Sequence, residues 1–174
     1  MKKTILLALG IVLVSLNLSC LTPREMLNYD DCLREADSGN TYFAIMKFRE
    51  YIKEFPNSAY AQKARFALSE YYIQINEYQY ALSLLQSYIE DYPHDKSTVF
   101  AKALLYQLIS ERGGEEGSLE LIKQNFFSKS VFLVFSSSKT KSFKSALGNK
   151  YKVVDYIDRI EFYRNNELFL EVRP

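Results

Sequence analysis

Two stretches of the chain align without a gap at an offset of 37 residues, and each carries its own helix stop. Tyr42 to Ala64 reads YFAIMKFREYIKEFPNSAYAQKA, and Gln79 to Ala101 reads QYALSLLQSYIEDYPHDKSTVFA. Ala44 meets Ala81, Tyr51-Ile52 meets Tyr88-Ile89, Phe55-Pro56 meets Tyr92-Pro93, and Ala64 meets Ala101. A fixed period of this length marks stacked supersecondary units, because one unit alone cannot bury its apolar face.

Each unit reads as a pair of helices. The first helix has Thr22 as N-cap, Pro23 at its first position and Glu25 completing a capping box, and Gly39 supplies a left-handed stop. A second runs from about Thr41 to Phe55, with Ala44, Ile45, Phe48, Tyr51, Ile52 and Phe55 at helical spacing, until Pro56 ends it. Ser58 caps a third, over about Ala59 to Ile75. A fourth spans about Glu77 to Tyr92, and Pro93 ends it. A fifth runs from about Ser97 to Arg112 and stops at Gly113-Gly114. A shorter sixth, Ser118 to about Phe126, keeps Ile122 at the position of Leu85, so the third unit is decayed. Ala44, Ala64, Ala81 and Ala101 are expected where helices approach closely.

The strings Ala44-x3-Phe48-x7-Pro56 and Ala81-x3-Leu85-x7-Pro93, with Leu68 and Tyr72 upstream, resemble the tetratricopeptide repeat. That resemblance implies that first helices of the units line a peptide-binding groove. Carried onto this chain, the groove positions are Tyr29, Lys63, Phe66, Glu70 and Phe100. The alternative is that Phe66 and Phe100 only pack against neighbouring helices.

The chain begins with the basic Met1-Lys2-Lys3 and the apolar TILLALGIVLVSLNL, too short for a spanning helix but of signal-peptide length. Leu16-Asn17-Leu18-Ser19-Cys20 resembles the lipobox of bacterial lipoproteins through Ser19 and Cys20. The resemblance implies removal of residues 1–19, lipidation of Cys20 and, with Leu21 following, the outer membrane facing the periplasm. Cys32 is then left without a disulfide partner and reads as a small buried hydrophobe or a reactive thiol. The period of 37, FPNSAYAQKA and the anchor together resemble the tetratricopeptide lipoproteins of the BamD type, which act in outer-membrane β-barrel assembly. The chain departs from that family after about residue 112, where further repeats would follow.

Charge divides the chain near residue 126. Leu21 to Glu120 holds 10 basic and 16 acidic residues, whereas Leu121 to Pro174 holds 10 basic and 5 acidic. The tail, 127–174, reads as a small α+β module: a buried strand at Val131 to Phe135, a short helix at Thr140 to Leu147 closed by Gly148, and a strand at Tyr151 to Ile157. A hairpin around Asn165-Asn166 ends it. One apolar face requires Phe162 opposite Leu170 and Ile160 opposite Val172. An odd loop of three residues, with a left-handed Asn, would give that register. Between Leu121 and Val154 lie seven lysines and no acid. Lys129, Lys139, Lys141, Lys144, Lys150 and Lys152 form either a patch for anionic lipid or an acidic partner, or a solvated face.

No catalytic constellation is legible. The single histidine, His94, lies in a loop beside Asp95, which reads as a cap. Ser136-Ser137-Ser138-Lys139 lacks the companion elements of a serine acyl-enzyme. Gly113-Gly114-Glu115-Glu116-Gly117 lacks the lysine of a phosphate loop. With formal net charge +1 there is no bulk case for nucleic acid. The expectation is therefore a mainly α chain: about three tetratricopeptide-like helix pairs over 20–126, then the α+β tail. It has no catalytic, metal or cofactor site. It is membrane-anchored by lipid and binds an extended peptide or an outer-membrane assembly component. A different envelope scaffold, such as a pilotin or a cell-wall or division coordinator, is the alternative.

Overall fold

The computed structural model describes residues 23–112, 119–120, 122–124, 140–156 and 158–173. Cys20 and the leader, Thr22, the glycine run from Gly113, the apolar Val131 to Phe135, Ser136 to Ser138, Lys129 and Lys139 lie outside them.

Five helices come first: α1 (Pro23–Asp37), α2 (Thr41–Glu54), α3 (Ala59–Gln74), α4 (Tyr78–Asp91) and α5 (Thr98–Glu111). Their limits follow from local chemistry. Gly39 takes φ +78°, which turns the chain out of α1, and the Asn40 side chain accepts the Phe43 N–H at 3.4 Å to open α2. Ser58 accepts the Tyr60 N–H at 3.2 Å. Asn76, at φ 63°, ends α3, and the Glu77 N–H reaches back to the Tyr72 carbonyl at 2.8 Å. Residues 119, 120 and 122–124 are helical as well.

Each helix packs on the next in sequence. Ala44, Ala64, Ala81 and Ala101 are fully buried, as close helix approach requires. The period of 37 reappears in the contacts. The Tyr51 hydroxyl bonds Ser58 at 2.9 Å, and its counterpart Tyr88 bonds Ser97 at 2.6 Å, each tying the end of one hairpin to the start of the next helix. Glu54 and Asp91, also 37 apart, pair with Arg24 and Arg65 of the preceding first helices.

A four-stranded antiparallel sheet follows in the order β1 (Thr140–Lys144), β2 (Lys150–Asp155), β3 (Ile160–Arg164), β4 (Glu167–Val172). The helix expected over Thr140 to Leu147 is therefore corrected. Phe143, Ala146 and Leu147 sit at helical spacing, but pairing with β2 and burial of Phe143 against two helices override that local pattern. Gly148 keeps its left-handed φ of +83° and serves the β1–β2 turn.

The β3–β4 hairpin reaches the expected register by a different device. Phe162 does oppose Leu170, and Ile160 opposes Val172. The loop, however, has two residues, Asn165 (φ 52°) and Asn166 (φ 70°), between the paired Arg164 and Glu167. Positive φ at both central residues is the type I′ signature. The odd residue is Phe169, a bulge in β4 that shifts the ladder between Phe162 and Tyr163.

Alternation leaves Tyr151, Val153, Ile160, Phe162, Leu170 and Val172 buried on one side of the sheet. That side lies on α3 and α5, and helices and sheet share one core.

Candidate functional site

The face of α3 and α5 that the repeat resemblance assigns to a peptide is occupied by the chain's own sheet. Phe66 of α3 meets Phe143 and Tyr151 edge-on, with ring centroids at 5.0 and 5.6 Å. Phe100 of α5 stacks on Phe143 at 5.9 Å and touches Tyr151 and Phe162 at 5.6 and 6.5 Å. Both are buried. Each such ring contributes on the order of 1.5–3 kcal/mol of burial plus about 0.5–1.5 kcal/mol for its aromatic contacts.

Glu70 lies in the same interface. Its Oε1 accepts the Tyr151 hydroxyl at 2.7 Å and the Asn149 side-chain amide at 2.8 Å. Its Oε2 and the buried Ser145 hydroxyl make no hydrogen bond of ordinary geometry. Burial pushes the Glu70 carboxyl up to about 7, against the bonds from Asn149 and Tyr151 that favour its charged form. Burial, reinforced by the Glu70 charge, raises the Tyr151 phenol well above its usual range. Asn149 accepts in turn from Asn165 at 2.8 Å, so the polar contact runs from α3 to the tip of the last hairpin.

The groove positions are thus corrected: Phe66, Glu70 and Phe100 are interface residues within the chain, not an open peptide site. Tyr29 is buried between α1, α2 and α3, stacked on Tyr60 at 4.5 Å and edge-on to Tyr51 at 5.5 Å. Lys63 alone of the five is exposed, with its ammonium 5.2 Å from the centre of the Tyr60 ring. The sequence did hold a signal for the covered interface. Glu70 follows an apolar stretch of α3, and a buried acid needs partners. Nothing local identified Ser145, Asn149 or Tyr151 as those partners.

Of the basic residues described, Lys144 and Lys150 stand opposite each other on β1 and β2, with Lys152 on the same outward side. Lys152 lies over the Tyr163 ring at 4.5 Å, and the Tyr163 hydroxyl bonds Glu161, which also accepts from Arg159 at 2.7 Å. Lys141 alternates to the other side with Phe143. Cys32 is buried, donates to the Asn28 carbonyl at 3.2 Å, and has its thiol pushed up to about 12 by burial. His94 is exposed in the α4–α5 loop, and Asp95 accepts the Ser97 N–H at 2.8 Å.

Among the described residues, exposed apolar side chains lie on the second helices as well as near the start of α1. Tyr42, Phe43 and Met46 of α2 and Tyr80 of α4 are exposed. A groove of about 630 Å³ is lined by Tyr42, Met46, Ile52, Leu68 and Leu84, together with the charged Arg49, Glu50 and Lys53. Exposed apolar clusters of this kind mark interaction sites more often than isolated surface residues do.

No protein-family model matches the chain, and no curated protein sequence matches it either. Among the described residues no helix is long and apolar enough to cross a membrane.

Proposed function

We propose that the chain is a lipid-anchored, periplasm-facing scaffold of the bacterial outer membrane, built on tetratricopeptide-like hairpins, that binds other proteins and catalyses nothing. The observation that carries this reading is the open apolar groove between α2 and α4 on an array whose other face is filled. Its apolar floor suits a partner segment with apolar side chains, and Arg49 and Lys53, set against the single acid Glu50, favour acids at its flanks. The Ser19–Cys20 junction supports the anchor, and the 37-residue hairpin period supports a role in β-barrel assembly. The covered α3–α5 face favours a second reading, a scaffold for another envelope machine such as a secretion, cell-wall or division assembly.

The test is a crosslinked pull-down from membranes with the wild type and a Tyr42→Ala/Met46→Glu variant. A barrel-assembly component captured by the wild type and lost by the variant is the expected result. A secretion, pilus or division component would establish the second reading. Equal capture by both proteins would remove the α2–α4 groove as the binding surface.

A further inference from the structure

We propose that the first two turns of α1 form a membrane-contact surface, with Met26 and Leu27 seated among the headgroups of the bilayer that holds the anchor. The inference rests on the reading of Cys20 as lipidated, and it adds a fixed posture to that reading.

The length of the tether is the first constraint. Three peptide steps separate Cys20 from Pro23, where α1 begins. At about 3.8 Å per step, the helix starts no more than about 11 Å from the lipidated residue. A domain so tied cannot hang clear of the surface, so its nearest side chains face lipid.

The second constraint is what those side chains are. Met26 is 47% exposed and Leu27 61% exposed, although both are large and apolar. Arg24, also exposed, is paired with Glu54, and beyond Leu27 the exposed positions of α1 are Asp30, Arg34 and Asp37. With a rise of about 1.5 Å per residue, Met26 and Leu27 fall within about 10 Å of the helix start. That depth matches the headgroup and upper acyl layer into which interfacial helices sink their apolar residues. Lys53, exposed in the last turn of α2, lies at the same end, because Arg24 of α1 pairs with Glu54 beside it. A cation there complements anionic headgroups.

The full-length lipidated protein, reconstituted into phosphatidylethanolamine–phosphatidylglycerol vesicles with brominated acyl chains, provides the test. Leu27→Cys and Arg34→Cys would each carry a polarity-sensitive fluorophore. Both positions are exposed on α1, and Cys32, buried with a raised thiol, stays unlabelled. The expected result is bromine quenching several-fold stronger at position 27 than at 34. Equal quenching at the two sites, with mass spectrometry finding lipid on Cys20, would overturn the contact surface and leave the anchor standing. An N-terminus without lipid would overturn the anchor, and the contact surface with it.

Discussion

Glu70 is held by two donors on one oxygen and by none of ordinary geometry on the other, in a site closed to water. Its carboxyl, ordinarily near 4.5, is raised to about 7 by burial. The folded chain therefore binds a proton that the unfolded chain has released. The stabilisation is complete below about 4.5 and lost as pH rises through about 7. The melting temperature of the wild type is expected to fall across that window. Glu70→Gln keeps an acceptor for Tyr151 and Asn149 and adds a donor facing the Ser145 side, so it should flatten the dependence and match or exceed the wild type at pH 8. Glu70→Ala strands both donors and leaves a cavity, which should cost about 2–4 kcal/mol. Thermal melts of the three proteins against pH check both statements, and a wild-type curve rising with pH would contradict the first.

The β3–β4 hairpin separates two residues that look interchangeable in sequence. Asn165 and Asn166 both hold positive φ. Asn165 also accepts the Lys150 N–H at 2.9 Å and donates to Asn149 at 2.8 Å. Asn165→Gly should therefore cost about 1–2 kcal/mol, whereas Asn166→Gly should be neutral or stabilising by under about 1 kcal/mol. Denaturant titration of the two variants tests this, and equal effects would mean the side chain of Asn165 carries no load. The same elements show what a sequence can reveal. Helix limits were legible because their stops, Gly39, Pro56 and Pro93, act within one turn. Phe162 and Leu170 could be paired because one buried face demands it. The bulge at Phe169 was hidden because an odd loop satisfies the same demand. β1 was misread because its strand character comes from Tyr151 and Phe66, which are distant along the chain. Phe66 and Phe100 read as groove positions for a peptide, and the sheet that covers them instead was not legible because Phe143 and Tyr151 are distant along the chain.

On the scale of the whole molecule, Phe66 and Phe100 belong to the same core as Phe143, Tyr151 and Phe162. Helices and sheet should accordingly unfold in one transition, with far- and near-ultraviolet circular dichroism superimposing. Two separated transitions would show that the sheet docks weakly. A chain lacking residues 140–174 would uncover both phenylalanines, and is expected to bind a hydrophobic dye and self-associate in light scattering. The filled α3–α5 face also has a consequence for competition. A sheet carried on the same chain meets the helices without the loss of translational freedom that a separate molecule would suffer. A free peptide aimed at Phe66 and Phe100 must therefore displace a resident that never diffuses away.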